Sequence, residues 1–489
     1  MDIRPEAPLR GFFLADATAA EETAMQKSRG FDNALYLEQQ SKEIIERVER
    51  FNNRLYLEFG GKLMYDMHAA RVLPGYDPNV KIQLLQRLKE KAEIIIAIHA
   101  GAIERKKVRA DFGVTYDADA IRLIDDLREF GLDKISVVIT RFTGQMGAMI
   151  FKKKLERSGI RVYIHRPTIG YPTDIDAIVS DDGFGQNPRI EVERPLVVVT
   201  APGPDSGKLA TCLSQLYHDH KMGIKAGYAK FETFPIWNLP LKHPVNIAYE
   251  AATVDLRDYN LIDPHHLEAY GKTSVNYNRD VEVFPVLKRI LERISGEASP
   301  YLSPTDMGVN RAGFGIIDDE RVRQAATQET IRRYFKTSVD YVQGHTDKET
   351  VDRAEMIIQQ AGLKLTDRSV VQPARDIALQ IEAQKKGHKG IYVGAAIQLP
   401  DGVIITGKNS PLMHASASMV LNAIKHLAGM PDAIHLLPPH IVSSVKDFKK
   451  GVLDSRSASL DLEGTLIMLA IGATLNPSAQ LAIDRKSVV

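Results

Sequence analysis

Runs of buried-strand character that alternate with amphipathic helices constrain this chain more than any other feature. Glu93 to Ala100 reads EIIIAIHA, Lys134 to Arg141 reads KISVVITR, and Arg161 to Arg166 reads RVYIHR. These runs are continuous in apolar residues, as in strands covered on both faces. Between them, YDADAIRLIDDLREFG (from Tyr116) and AMIFKKKLERSG (from Ala148) carry helical periodicity and stop at glycine. A β-α-β-α-β order predicts an α/β fold, a doubly wound and mostly parallel Rossmann/P-loop-like sheet. Leu55 to Phe59 and Leu196 to Thr200 supply further strands.

The remainder divides by pattern. Residues 1–30 are expected to form a mobile extension: the apolar patch Phe12 to Ala15 is too short for a signal peptide and is ended by Asp16. Residues 31–325 form the α/β domain, and residues 171–193 read as a loop or peripheral element. Next, IKAGYAKFETFPIWNLPLKHPVN (from Ile224) mixes aromatics with prolines; a long irregular segment of this kind lines a site or an interface. Helical patterns from Val283, Glu320 and Asp347 lead to a domain change near residue 325 and a helical linker over 326–390. Residues 391–489 are expected to be a smaller α/β or α+β domain. It opens with a hairpin turning at Pro400-Asp401-Gly402 and continues with a helix capped by Ser410 with Pro411 at its first position. LIMLAIGATL (from Leu466) reads as a core helix.

Composition excludes several partners. Basic and acidic residues number 63 and 62, so no basic field favours nucleic acid or an anionic membrane. Lys152-Lys153-Lys154 reads as a solvated helix face. No apolar run reaches the length of a membrane span. A single cysteine, Cys212, rules out an internal disulfide and fits a reducing cytoplasm; it reads as a buried small residue.

The stretch TAPGPDSGKLATC, from Thr200, holds the strongest chemical signal. A phosphate-binding loop needs a strand, a glycine turn with inward N–H groups, a lysine, a Ser/Thr hydroxyl for Mg2+ and a following helix. Here the strand, Gly207, Lys208 and the helix occur in order. The strict spelling fails twice: Pro202 stands where the first glycine belongs, with Gly203 one place late, and Leu209 stands where the hydroxyl belongs. Thr211 points elsewhere on the helix, and Asp205 adds negative charge. The core of an anion site survives in Gly203, Ser206, Gly207 and Lys208. Its bland counterpart is a strand-to-helix turn with a solvated lysine.

Gly60-Gly61-Lys62 and Thr143-Gly144-Gln145-Met146-Gly147 also follow strands and precede helices. In a parallel sheet, strand ends share one ligand-gathering edge, so Glu58, Lys62, Arg141, Thr143 and Lys208 are expected to converge. Asp255 is the acid best placed to help a Mg2+ ion; no resident metal site is expected. His218 and His220 do not share a helix face. Asp263, His265, His266 and Glu268 fall in an expected loop, and Asp318 and Asp319 read as helix caps. There is no H-E-x-x-H and no G-x-S-x-G. The hairpin and the helix carrying His414 have a deaminase-like outline without its zinc signature.

Long strings carry a family resemblance: FDNALYLEQQSKEIIERVERFNNRLYLEFGGKL (from Phe31), HAARVLPGYDPNVKI (from His68), GYAKFETFPIWNLPLKHPVNIAYEAAT (from Gly227) and NYNRDVEVFPVLKRIL (from Asn276). From about Gly30 to its C-terminus the chain resembles the bacterial family known as domain of unknown function 1846, also called the uncharacterised family UPF0371. The resemblance brings no established activity and no catalytic residues. Some members are labelled ATP-dependent peptidases, a label the residues of this chain do not support. The combined expectation is a cytoplasmic protein that binds a nucleotide, with Mg2+, or a phosphorylated metabolite, with phosphoryl transfer or ATP-dependent ligation as the reaction class. The alternative is a metabolite-binding, regulatory homo-oligomer without turnover.

Overall fold

The structure, a computed structural model, describes residues 29–484 apart from 53, 109–112, 400 and 456. The expected extension lies, up to residue 28, outside the described residues, as does Pro400 of the hairpin turn. The described residues fall into two compact units that divide after Ala361. The sequence pattern places that change near residue 325. Helices Asp319–Val342 and Lys348–Gln360 instead pack with the first unit, the former against Pro244–Ala252.

The first unit is built on a six-stranded sheet of β1 (Leu55–Phe59), β2 (Ala92–His99), β3 (Ile135–Thr140), β4 (Arg161–Ile164), β5 (Leu196–Thr200) and β6 (Gly227–Phe231). The order is β4-β3-β2-β5-β1-β6, and every pairing is parallel. Alternation along each strand sends side chains to two cores. Leu57, Ile94, Ile96, Val137 and Val198 join one. Tyr56, Ile95, Val138, Val197 and Val199 join the other, with Cys212, Leu213 and Leu216 of the Lys208–Lys221 helix and Phe284, Leu287 and Ile290 of the Asn278–Ser295 helix. Each such side chain contributes about 1.5–3 kcal/mol on burial, which explains the two-faced apolar character of the runs. β6 lies inside the segment that the sequence reading took as irregular; its Gly-Tyr-Ala-Lys-Phe spelling alternates, because polar Lys230 faces a cleft at the strand's end.

Local signals agree with the helices. Asp32 caps Asn33–Arg50 by accepting from the Ala34 and Leu35 amides, and Asp318 caps Asp319–Val342. Asp263, expected in a loop, caps a short helix, Pro264–Tyr270. A small antiparallel pair, β7 (Asn260–Ile262) with β8 (Val275–Tyr277), stands apart from the main sheet.

The second unit holds the expected hairpin, β9 (Gly394–Gln398) antiparallel to β10 (Ile404–Lys408), packed against helix Val371–Ala383 before it and helix Ala415–Leu427 after it. The latter helix begins later than expected. Met413 forms a bridge with Leu460, so Ser410 closes a turn by accepting from the Leu412 and Met413 amides, and His414 becomes the cap residue. Helix Leu462–Ala473 buries Met468 and Leu469 but exposes Leu466, Ile467 and Ile471, so it is a core helix on one face only. Among the described residues no single helix is long and apolar enough to cross a membrane.

Candidate functional site

β2 continues to β3 on one side of the sheet, and β5 continues to β6 on the other. The boundary between β2 and β5 is therefore a topological switch point, where ligands of such sheets collect at the C-terminal strand ends. The glycine loop lies at this boundary. It runs from Ala201 to Gly207 and opens the 14-residue Lys208–Lys221 helix.

Three contacts shape the loop. The Thr140 hydroxyl, at the end of β3, donates to the Ser206 carbonyl at 2.6 Å. A Cβ at Gly203 would stand 2.5 Å from the Tyr116 hydroxyl, and one at Gly207 would stand 3.1 Å from the Thr140 side chain. Gly207 also has φ 86°, in the left-handed region that glycine adopts at little cost. As cap residue it offers no side-chain hydrogen bond. The amides of Lys208, Leu209 and Ala210 thus open the helix without intrahelical partners. Ser206 is buried, and its hydroxyl has no hydrogen-bond partner. Lys208 is half-buried, one turn before buried Cys212. Burial, reinforced by Glu58 and opposed by Lys208, pushes the Cys212 thiol well up, so it is no nucleophile. Thr211, the hydroxyl nearest a metal-binding position, donates to the Gly207 carbonyl at 2.9 Å.

Cations gather beside the loop. Burial and then Arg141 and Arg105 hold the His99 imidazole below its ordinary value, against the opposing charge of Asp205. Lys107 stands 5.2 Å from the centroid of the Tyr116 ring that Gly203 approaches. Arg141 and Asp205 both adopt positive φ, 51° and 56°, conformations that cost non-glycine residues energy and cluster at functional sites. Tyr171 links this region to β1: burial and Glu58 raise its phenol, and Arg141 opposes them.

The two sister turns behave differently. The N-terminus of helix Met146–Arg157 already holds an anion of the chain, since the Gly147 amide donates to a Glu104 carboxylate oxygen at 2.7 Å. Thr143 is engaged with Gln145 within its own loop. No helix starts directly after Gly60-Gly61-Lys62; the next begins at Met67 under an Asp66 cap, and Gly60 makes room for the Glu232 side chain. Lys62 is half-buried on that loop. Asp255 lies exposed on a 3-10 turn against helix Lys348–Gln360. His218 and His220 contact the carbonyls of Asn187 and Ala226. Among the described residues no group of three His, Cys, Asp or Glu is arranged to hold a metal.

A second constellation was missed by motif reading. At the ends of β1 and β6, Glu58 pairs in register with Lys230. The Tyr228 hydroxyl donates to Glu58 at 2.8 Å. The Lys230 ammonium donates to Asp280 at 2.5 Å and to the Tyr277 hydroxyl, and lies 3.3 Å from Glu232. Of these groups Lys230, Glu232 and Asp280 line a small open cleft of about 40 Å³, together with Phe234, Trp237, Asn276 and Thr305. Lys230, Glu232, Phe234, Pro235 and Trp237 all come from the aromatic–proline segment. Its composition marked the region; the polar alternation Tyr228, Lys230, Glu232 was the signal for the residues.

Comparison with known proteins gives a consistent result over both units. Residues 29–362 match the family described as "Domain of unknown function DUF1846, N-terminal", and residues 366–488 match "Domain of unknown function DUF1846, C-terminal". A UPF0371 protein of Clostridium tetani (strain Massachusetts / E88) is 57% identical over 460 residues, covering 94% of this chain and 91% of the relative. A UPF0371 protein of Clostridium botulinum (strain 657 / Type Ba4) is 58% identical over 456 residues, 93% and 90% of the two chains.

Proposed function

The chain belongs to the DUF1846 family, and we propose that its first unit binds a phosphate-bearing metabolite on the turn formed by Gly203, Ser206, Gly207 and Lys208. One observation carries the reading. The helix behind this turn opens on an uncapped glycine, next to a buried Ser206 hydroxyl that has no partner. Helix N-termini favour anions through free N–H groups and the helix dipole. The corresponding helix after β3 already has a carboxylate, Glu104, at that position.

A phosphorylated metabolite fits better than a magnesium nucleotide. The Thr211 hydroxyl is spent within its helix, and Asp255 sits on an exposed turn elsewhere. Phosphoryl transfer or ligation would need a metal-holding acid near the turn, and Asp205 is the acid within the loop. A cytoplasmic pool of phosphorylated metabolites is the matching source.

The test is a thermal-shift panel of phosphorylated metabolites, nucleotides and inorganic phosphate, with and without Mg2+, on the wild type and Lys208→Ala. A ligand at 100 times its Kd stabilises by about 2.7 kcal/mol. A shift that is lost in Lys208→Ala supports the reading; a shift that persists in it contradicts the reading, as does the absence of any shift.

A second reading, a metabolite-binding homo-oligomer without turnover, draws on the exposed apolar row Leu466, Ile467 and Ile471. Ligand binding without product over long incubation, together with a mass above that of the monomer by sedimentation, favours it.

A further inference from the structure

The cleft at the end of β6 carries an inference independent of the phosphate turn. One ammonium, Lys230, faces three carboxylates: Asp280 at 2.5 Å, Glu232 at 3.3 Å, and Glu58, its register partner on β1. Arg279, whose guanidinium lies over the Tyr277 ring, does not redress the balance, because it is bound to Asp258 at 2.7 Å. Asp280 takes the short contact with the lysine and Glu58 takes the Tyr228 hydroxyl. Glu232 receives longer contacts, from Tyr277 at 3.2 Å and from Lys230. It is the least closely paired of the three carboxyls.

The groups facing Glu232 come from each element packed around it. They are Lys230 of β6, Glu58 of β1, Tyr277 of β8, Asp280 of helix Asn278–Ser295, and Tyr249 of helix Pro244–Ala252. Burial pushes the Glu232 carboxyl up to about 7; Asp280 and Glu58 push the same way and Lys230 opposes them. Below about pH 7 the carboxyl therefore holds a proton that a cation can displace. The cleft is lined by the aromatic Phe234 and Trp237 and by Asn276 and Thr305, which carry an amide and a hydroxyl.

We infer that this cleft binds a small organic amine, whose ammonium group pairs with Glu232 while the carboxyl proton passes to solvent. The step is a proton exchange: the carboxyl O–H bond breaks, its proton goes to water, and N–H···O hydrogen bonds form to the resulting carboxylate. No other bond changes. The alkyl part of the ligand lies against Phe234 and Trp237, where aromatic faces also attract the cationic end. Deprotonation linked to binding makes affinity rise with pH until the carboxyl is ionised without help, and level off above that point.

The test uses short primary amines, ethylamine through hexylamine, and the alcohols of the same chain length as neutral controls. Melting temperature is read at about pH 5.5 and about pH 8, on either side of the Glu232 ionisation. The expected result is a larger shift with amines than with alcohols, growing from the lower to the higher pH. It is lost in Glu232→Gln and kept in Lys208→Ala, which separates this site from the phosphate turn. Equal shifts with alcohols, a larger amine shift at the lower pH, or a full amine shift in Glu232→Gln overturns the inference. Should Glu232→Gln fail to fold, calorimetry on the wild type near pH 6 in buffers of different ionisation heat decides. About one proton released per amine bound supports the exchange, and no release overturns it.

Discussion

The Thr140 hydroxyl donates to the Ser206 backbone carbonyl at 2.6 Å, so the end of β3 holds the loop that follows β5. The bond leaves the Ser206 side chain unpartnered and buried beside the start of a helix. Replacing Thr140 by Val keeps the shape and deletes the donor. The expected cost is about 1–3 kcal/mol, since the Ser206 carbonyl loses its partner in a buried setting. Thr140→Ser should restore most of it. Urea unfolding of the two variants checks the claim, and equal stabilities would refute it.

Gly207 combines positive φ with close packing on Thr140. Gly207→Ala is expected to destabilise by roughly 1–3 kcal/mol and to weaken phosphate binding. Gly223, also at positive φ but with open space around its Cβ direction, is the control. Gly223→Ala should cost about 1 kcal/mol or less and leave binding unchanged. Denaturant melts with a binding titration separate strain from site effects.

The carboxyl of Glu232 has a folded value near 7, above the free value of about 4.3. A raised value means its contribution to stability is whole below about pH 4 and is lost as pH rises through about 7. Glu232→Gln removes this loss. The variant should therefore gain on the wild type as pH climbs across that window, by on the order of 3–4 kcal/mol, with the difference flat above it. Melts at a series of pH values test the sign; a gain confined to acid would contradict it.

Lys81 is almost wholly buried and donates to Asp66 at 2.6 Å. Lys81→Met should cost about 3–5 kcal/mol, because the Asp66 charge is left unpaired in the interior. Adding Asp66→Asn should recover part of that cost, although the residue must still cap helix Met67–Val72 through the Ala69 amide. A double-mutant cycle measures the coupling, and additive costs would argue against it.

Sequence reading reached the sheet because its strands are spelled by local physics. Ile94 to Ile98 and Val197 to Val199 need apolar neighbours on both faces, and no other setting suits such runs. The strand order was out of reach, since β5 inserts between β2 and β1 by contacts that no local pattern encodes. β6 reads as irregular because polar Lys230 breaks its short apolar run, and Lys230 and the following Glu232 line the cleft. Among the named candidates, Gly203, Ser206, Gly207 and Lys208 fall on one turn, and Glu58 and Arg141 act in opposite directions on the Tyr171 phenol. Asp280 comes from a helix 50 residues beyond Lys230, so spacing alone gives no hint of that pair.

The most direct test of the phosphate turn is a crystal structure of the chain grown in inorganic phosphate, refined beside one grown without it. An anion hydrogen-bonded to the amides of Lys208, Leu209 and Ala210, with the Ser206 hydroxyl turned toward it and the Lys208 ammonium in contact, is the result expected here. Water alone on those amides at saturating phosphate, with Ser206 still unpartnered and the loop unchanged, would contradict it and leave the turn a structural link from β5 to its helix.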